Sequence, residues 1–232
     1  MAVSGAEKLR PYYQEDGVTI YHGDCREVSV DTWIAAGVDL VLTDPPYGIN
    51  LKTERTLSKC NKWNSQQSFG RIMGDDSGLF DPRPLLGLDK KKIILWGANY
   101  YADLLPPSGG WLIWDKRRGG TMSPGFIASD VELAWSNLFG TARIFSHLWN
   151  GLCRDSEVAE HYHPTQKPIA LMAWCIKLAG LEPGALVFDP FMGSGTALVA
   201  ATNMGCRTIG IEIEERYCEI AVERLRQRVL DF

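Results

Sequence analysis

The sequence lacks the cysteine spacing of a zinc or redox site. Its six cysteines include no C-x-x-C pair. Cys153, His161 and His163 form a loose cluster without the usual ligand spacing, so we expect no metal. The chain also lacks about 18 consecutive apolar residues, and Met1–Arg10 carries charges without an apolar signal core. These absences predict a cytoplasmic protein that has reduced thiols and stays out of the membrane.

A surplus of positive charge is also missing, since the formal net charge is −4. Neutralising nucleic-acid phosphates needs Lys and Arg, so this balance argues mildly against an extensive nucleic-acid surface. The segment Leu51–Gly74 is a local exception, either a basic cleft or a solvated loop. Its basic residues are Lys52, Arg55, Lys59, Lys62 and Arg71, against the single acid Glu54.

What is present is the pattern of a single α/β domain spanning residues 1–232. With 45% hydrophobic and 22% charged residues, the chain can bury a sizeable core. Short apolar runs alternate with helical patterns, which predicts a mostly parallel sheet with helices on both faces. The predicted strands are Val18–Tyr21, Val38–Thr43, Lys92–Trp96, Trp111–Trp114, Val131–Trp135, Arg143–Trp149, Ala185–Phe188 and Thr208–Ile211. The clearest predicted helices are Ile169–Ala179, Thr196–Met204 and Glu215–Leu230.

Four of the predicted strands end in an acidic residue. These residues are Asp24, Asp44, Asp189 and Glu212. The carboxyl ends of parallel strands meet at one edge of a sheet, where ligands bind in such folds. The sequence therefore predicts a row of four carboxylates at the ligand-binding edge.

The strongest local signal is the segment Phe188–Thr196, in which an apolar strand runs into a glycine turn and then a helix. Glycines allow a ligand to approach the backbone, and a helix N-terminus offers free N–H groups. The segment has no P-loop lysine, which disfavours an ATPase. Glu212 follows about 20 residues after Asp189, an offset at which an acid can bind ribose hydroxyls. A turn without a ligand and a solvated acid are the alternatives.

The second signal is Asp44–Gly48, directly after a predicted strand. Pro45 and Pro46 fix the backbone and have no N–H to donate. The Pro45 carbonyl is then left to accept a hydrogen bond from a ligand. The Asp44 carboxylate and the Tyr47 ring complete a small pocket with a stacking face. A rigid turn without chemistry is the alternative.

Together these segments resemble the amino-methyltransferases of DNA, which methylate the exocyclic amine of adenine or cytosine. Asp44–Tyr47 precedes Phe188–Thr196 along the chain, an order that resembles the beta group, in which the motifs are circularly permuted. His163–Pro168 and Tyr21–Cys25 are similar to two further elements of that group. The resemblance covers the chain from Val18 to Leu225.

The resemblance implies a Rossmann-like fold and S-adenosylmethionine as the methyl donor, with no metal. Residues 18–150 would form the catalytic half, with a DNA-contacting loop at 51–78, and residues 163–230 the cofactor-binding half. Glu212 would hold the ribose hydroxyls of the cofactor, and Asp24 would contact its adenine amine. Thr165 and Lys167 would close the site near its methionine end, although Lys167 has the alternative of a surface charge. The other implied cofactor residues are Asp189, Phe191, Gly193, Ser194, Gly195 and Thr196.

The resemblance also implies the chemistry. Asp44 and the Pro45 carbonyl would accept hydrogen bonds from the base amine, with Pro46 keeping the turn rigid. Catalysis would then consist mainly of positioning and electrostatics, with direct transfer and no covalent intermediate. A base cannot be reached inside a duplex, so it would be flipped out and stacked on Tyr47.

Contact with double-stranded DNA is expected from two basic groups. The first group also contains Trp63. For each group, the alternative is a solvated surface that makes no contact with DNA. The departure from the family is the short stretch between Trp149 and His163, which leaves little room for a target-recognition region. Recognition would therefore be compact, involve the loop at 51–78, or require a second subunit in a homodimer. The predicted DNA contacts are Lys52, Arg55, Lys59, Lys62, Lys116, Arg117 and Arg118.

Adenine N6 is the favoured target, because Asp at the head of the tetrapeptide is commoner in adenine enzymes of this group. Ser is commoner in the cytosine enzymes, and cytosine N4 is the first alternative. RNA or a free nucleotide is a further alternative, since the chain is acidic. A non-catalytic module that binds cofactor or DNA is the alternative of a different class.

Overall fold

The computed structural model describes residues 10–27, 32, 36–49, 73, 75–76, 78–88, 91–117, 129–149, 154–157, 162 and 165–227. Nine strands within them form one sheet, in the order β1-β2-β9-β8-β3-β4-β6-β5-β7. The strands are β1 (Tyr13–Glu15), β2 (Val18–His22), β3 (Leu40–Thr43), β4 (Lys92–Trp96), β5 (Trp111–Asp115), β6 (Val131–Ser136), β7 (Arg143–Ser146), β8 (Leu186–Asp189) and β9 (Arg207–Glu212). The helices are α1 (Arg83–Leu86), α2 (Ile169–Leu178), α3 (Thr196–Asn203) and α4 (Glu215–Gln227).

The sheet is mostly parallel, as the sequence predicts. Strands β2, β9, β8, β3 and β4 are joined by parallel pairings. Strand β6 runs antiparallel to both β4 and β5, while β7 pairs in parallel with β5. All strands except β1 and β6 therefore point the same way. Their carboxyl ends meet at one edge of the sheet, and β6 begins at that same edge.

Buried residues on alternate positions of the central strands face opposite sides of the sheet. Leu40 and Leu42 pack in one core cluster with α2 and α3, whereas Val41 packs in another. The latter cluster contains Leu85 of α1 and Tyr101. The helices thus cover both faces unequally, with α2, α3 and α4 on one face. Among the described residues, α1 and short 3₁₀ turns cover the other.

Proline and glycine set the ends of the helices next to the site. Helix α2 begins after Pro168, whose missing N–H costs nothing at a helix start. Gly180 follows it with φ +57°, the left-handed conformation that commonly ends a helix. Helix α3 begins after Gly195, which has φ +79°. The predicted starts at Ile169 and Thr196 are therefore confirmed.

Two details differ from the sequence prediction. Strand β1 was not predicted, because Tyr13–Glu15 is short and polar. It pairs with β2 across Asp16 and Gly17, whose φ values of +49° and +80° suit an Asp-Gly hairpin turn. Strand β7 stops at Ser146, well before the predicted Trp149. In the described part of the chain, no helix is long and apolar enough to cross a membrane.

Leu42 tests the importance of the central strand. It is fully buried in β3, so Leu42→Ala should leave a cavity and lower the free energy of unfolding by about 2–5 kcal/mol. Ile144 on the edge strand β7 is 63% exposed, and Ile144→Ala should change it by less than about 0.5 kcal/mol. Urea denaturation measures both. Equal losses in the two variants would contradict the burial pattern.

Candidate active site

The carboxyl edge of the sheet carries the predicted row of acids. Asp44 directly follows the end of β3, and Asp24 lies close to the end of β2. Asp189 and Glu212 are the last residues of β8 and β9. Because β2, β9, β8 and β3 are neighbours and parallel, the structure confirms that these four acids share one edge.

Asp44 is held by two side chains. Lys167 Nζ donates to Asp44 Oδ2 at 2.6 Å, and the Tyr47 hydroxyl donates a short hydrogen bond to Oδ1. Lys167 Nζ also lies 3.1 Å from the Tyr47 oxygen. The Lys167 side chain is only 5% exposed, which rules out the surface alternative for this residue. The Asp44–Gly48 turn and the segment before α2 are therefore joined by a buried ion pair.

A second carboxylate shares this lysine. Glu132, at the start of β6, has Oε2 3.0 Å from Lys167 Nζ and Oε1 2.9 Å from Lys116 Nζ. Burial would raise the pKa of Glu132, but the two lysines outweigh it and lower the pKa to about 2. Burial likewise lowers the pKa of Lys167, but Asp44 and Glu132 raise it above its usual range. Lys167 is therefore a cation between two carboxylates.

Asp44 itself is under opposing influences. Burial raises the pKa of this carboxyl and Lys167 lowers it, while Glu132 adds a repulsive contribution that raises it. The net shift is upward. The charge state of Asp44 thus depends on how well Lys167 compensates its burial.

The Tyr47 ring lies against backbone that only glycine allows. Gly97, which follows β4, has φ +71°. A Cβ there would lie 1.8 Å from Tyr47 Cε1. Tyr100, in the next turn, stacks on Tyr47 with the ring centroids 4.9 Å apart and the planes at 19°. The aromatic wall of the site is therefore a pair of rings, of which Tyr100 is 38% exposed.

Asp75 also holds the Asp44–Gly48 turn. Its Oδ1 accepts hydrogen bonds from the backbone N–H of Gly48 at 2.9 Å and of Ile49 at 3.2 Å. Pro45 is buried and Pro46 half-buried. The turn is therefore fixed by its prolines, by a carboxylate at its end and by the Tyr47–Asp44 hydrogen bond.

The glycine segment is tied to Glu212. Glu212 Oε2 accepts from the Gly193 N–H at 3.0 Å, and Oε1 accepts from the Glu214 N–H at 2.8 Å. Burial raises the pKa of Glu212 despite these donors. Gly193 and Gly195 have φ values of +50° and +79°, so both positions favour glycine.

Arg224 of α4 also contacts the glycine segment. Its Nη1 donates to the Ser194 carbonyl at 2.7 Å and lies 3.2 Å from both the Ser194 and Thr196 hydroxyl oxygens. Its Nη2 lies 3.5 Å from Glu157 Oε1. Ser194 and Thr196 are buried in this contact. Their side chains therefore stabilise the conformation of the loop. This role is independent of what their backbone N–H and C=O groups bind.

Asp189 links strand β8 to strand β3. Its Oδ1 accepts from the Thr43 hydroxyl at 2.6 Å, across the β3–β8 pair, and from the Phe191 N–H at 3.0 Å. Burial raises the pKa of Asp189 to about 7, and the two donors only partly oppose that shift. The ionised form of this carboxyl is therefore incompletely compensated by its two donors.

Two other predicted cofactor residues lie nearby in the fold. Asp24 follows β2 and is paired with the exposed Arg26, which lowers the pKa of the Asp24 carboxyl. Thr165 is half-buried, two residues before Lys167. Their roles toward a cofactor stay predictions.

The basic residues predicted to contact DNA lie in different surroundings. Lys116 is 9% exposed and pairs with Glu132, so its position argues against a phosphate contact. Arg117 pairs with Asp115 at 2.9 Å and Asp130 at 3.2 Å, which compensates its charge. Both side chains are therefore engaged in ion pairs at the carboxyl edge of the sheet. Lys52, Arg55, Lys59, Lys62, Trp63 and Arg118 lie outside the described residues.

Sequence reasoning missed several residues of this site, and three of them show why. Glu132 lies in the predicted strand Val131–Trp135, and no sequence signal marks its partner. Tyr100 has no motif, although it follows a strand that ends in glycine. Arg224 carries a readable signal, because it lies on the apolar face of α4 defined by Tyr217 and Ala221.

Comparison with known proteins decides the family. A sequence profile described as DNA methylase, of the N6 and N4 type, matches residues 115–223. Type II methyltransferase M2.DpnII of Streptococcus pneumoniae is 44% identical to this chain, over 95% of this chain and 94% of that protein. The chain belongs to this family of DNA methyltransferases. The predicted family membership is thereby confirmed.

Solved structures confirm the fold of this methyltransferase. The complex of M1.HpyAVI with S-adenosylmethionine matches with a TM-score of 0.55 and 22% identity, over 90% of this chain and 98% of that one. The cytosine-N4-specific PvuII methyltransferase matches with a TM-score of 0.60 and 15% identity, over 94% and 89%. The Rossmann-like fold is therefore shown, and the solved neighbour M1.HpyAVI binds S-adenosylmethionine.

The residues of this methyltransferase fit that cofactor. Glu212 lies beside the glycine segment through its bond to Gly193, as a group that holds ribose hydroxyls must. Asp189 is a buried carboxyl with only neutral donors among its closest contacts, which suits an ammonium or sulfonium group. Among the described residues, no group of three or more His, Cys, Asp and Glu side chains could hold a metal ion.

Gly97 provides a test of the aromatic wall. Gly97→Ala should displace the Tyr47 ring and lower kcat by about 100-fold, because small misplacements at the reacting centre are costly. Binding of S-adenosylmethionine, measured by calorimetry, should stay unchanged. Gly140→Ala is the matched control, since a Cβ there meets nothing within 4 Å. Full activity of Gly97→Ala would show that the ring position does not matter.

Asp189 should make the stability of the cofactor-free protein depend on pH. Its pKa is raised from 3.8 to about 7, so the folded state holds the proton more tightly than the unfolded state. The stability that this carboxyl contributes is present at low pH and is lost as the pH rises from about 4 to about 7.

Asp189→Asn removes this titration. Relative to wild type, the free energy of unfolding of the variant should rise as the pH increases from about 4 to about 7, as measured by urea denaturation. The exposed Asp103 supplies the control, and Asp103→Asn should follow the wild-type curve. A pH profile of Asp189→Asn parallel to wild type would refute the assignment.

Proposed function

We propose that this methyltransferase transfers a methyl group from S-adenosylmethionine to the N6 amine of adenine in duplex DNA, with the base flipped out. The observation that carries the proposal is the Asp44–Tyr47 turn. Its carboxylate and aromatic ring are fixed at the carboxyl edge of the sheet, beside the glycine segment. Asp at the head of this turn favours adenine over cytosine.

The turn suits an amine nucleophile. An exocyclic amine is weak because its lone pair is conjugated with the base. Asp44 and the Pro45 carbonyl accept its two N–H groups, which aims the nitrogen and favours loss of conjugation. Tyr47, backed by Tyr100, provides the stacking face. Positioning and electrostatics then account for catalysis without a covalent intermediate.

The cofactor occupies the neighbouring ends of β8 and β9 in this proposal. S-adenosylmethionine would supply the electrophilic methyl group when bound, with S-adenosylhomocysteine as the leaving product. Glu212 holds its ribose hydroxyls and Asp189 its ammonium group, while Phe191 and the glycine segment line the site. The Thr43–Asp189 hydrogen bond fixes this half against the catalytic strand. Asp24 and Thr165 complete the proposed contacts.

The proposed substrate is double-stranded DNA, and the proposed setting is restriction–modification. M2.DpnII is named a Type II methyltransferase, which supports that setting. Because Lys116 and Arg117 are paired with acids, we assign the contacts with DNA to the basic segment within 51–78. A homodimer would supply recognition surface from a second subunit. Size-exclusion chromatography with and without duplex DNA tests this.

Methylation by the purified protein tests the function. The protein is incubated with unmethylated duplex DNA and labelled S-adenosylmethionine, and the nucleosides are analysed by mass spectrometry. N6-methyladenine is the expected product. Asp44→Ala should lower kcat by about 100- to 1000-fold, because it removes a preorganised hydrogen-bond partner of the reacting amine.

The exposed Asp103 serves again as the control, and Asp103→Ala should methylate DNA like wild type. If the product is N4-methylcytosine, the target base is cytosine instead of adenine, and the proposed site residues stay the same. Methylation of RNA in preference to duplex DNA would overturn the proposed substrate. Cofactor binding without turnover on any nucleic acid would overturn the proposal of catalysis.

A further inference from the structure

The catalytic carboxylate belongs to a row of four alternating charges. Asp44, Lys167, Glu132 and Lys116 follow one another, and the closest atoms of each successive pair lie 2.6, 3.0 and 2.9 Å apart. The formal charges cancel. The Lys167 and Lys116 side chains are 5% and 11% exposed, so water screens the row only weakly. Each charge therefore depends on its neighbours.

The row joins parts of the chain that the motifs treat separately. Lys167 precedes α2 in the cofactor half, while Glu132 starts β6 and Lys116 follows β5. Glu132 reaches this edge only because β6 runs antiparallel to its neighbours. The topology thus places an acid opposite Asp44, with Lys167 between them.

We propose that Lys167 and Glu132 are positioning residues that keep the Asp44 carboxylate ionised and oriented for the amine of the target base. The inference rests on the proposed role of Asp44. It departs from the resemblance, which implies that Lys167 contacts the methionine end of the cofactor. In the structure, Lys167 Nζ is instead engaged by Asp44, Glu132 and Tyr47.

The charged and titratable groups around Asp44 fix the direction of each effect. Lys167 lowers the pKa of Asp44, and Glu132 raises it. Tyr47 donates a hydrogen bond that favours the ionised form. Asp189 and Tyr101 lie close enough to interact through space. Removing Lys167 therefore takes away the largest influence that opposes burial and Glu132, and both of these favour protonated Asp44.

Glu132 has two separable effects. With Lys167 present, it holds the ammonium group in place between the two carboxylates. With Lys167 absent, its negative charge only repels that of Asp44. Loss of Glu132 should therefore restore ionisation of Asp44 in a Lys167→Met background. This reversal is specific to an electrostatic role.

The experiment uses the full chain with saturating duplex DNA. It measures kcat and the KM for S-adenosylmethionine as functions of pH. Lys167→Met should move the acid limb of kcat to higher pH by about one unit or more, a rate loss of about tenfold or more below the new limb. Lys167→Arg should keep the limb near its wild-type position because the charge is retained. Lys167→Met with Glu132→Gln should move the limb back toward lower pH.

The exposed Lys177 on α2 provides the matched control, and Lys177→Met should leave the pH profile unchanged. Circular dichroism and S-adenosylmethionine affinity establish that each variant is folded. A rise in KM for the cofactor without a shifted limb would overturn the inference in favour of a cofactor contact. A uniform rate loss that Glu132→Gln does not reverse would overturn it in favour of a purely structural role. Absence of methylation by wild type would instead count against the proposed function.

Discussion

The structure depends on satisfying carboxylates that are withdrawn from water. A buried carboxylate destabilises the fold unless donors or cations compensate it, and the carboxyl edge of this sheet concentrates several. Each is compensated differently: Asp44 by a lysine, Asp189 by a threonine hydroxyl and Glu212 by backbone N–H groups. These solutions tie β3, β8 and β9 to one another and to the segment before α2. Stability and catalytic geometry therefore rest on the same contacts.

Part of this arrangement can be predicted from the sequence. Short apolar runs that end in acids identify the parallel strands and their common edge, because strand direction alone puts those ends together. The two glycines after Asp189 and the prolines after Asp44 mark the turns, since few other residues adopt those conformations. The helix starts at Ile169 and Thr196 follow from the proline and the glycine that directly precede them. These signals are local, which is why they can be read without a structure.

The remaining features depend on distant pairing, which local patterns do not contain. Lys167 and Asp44 are 123 residues apart, so neither residue type nor spacing shows that they meet. Lys116 was assigned to a surface patch because it adjoins two arginines, and only the direction of β6 shows why it turns toward Glu132. Tyr100 acquires its meaning from Gly97, which lets Tyr47 approach. The chemistry of single motifs was readable, but the contacts between motifs were not.

The reversed strand β6 has a consequence for how this protein tolerates substitution. Strand β5 ends and β6 begins at the carboxyl edge of the sheet, where Lys116 and Glu132 form an ion pair. Because Glu132 also faces Lys167, a substitution that alters the pairing of β5 with β6 changes the surroundings of a lysine in a distant part of the chain. Side chains that pack between these two strands are therefore constrained by an electrostatic contact in which they take no part.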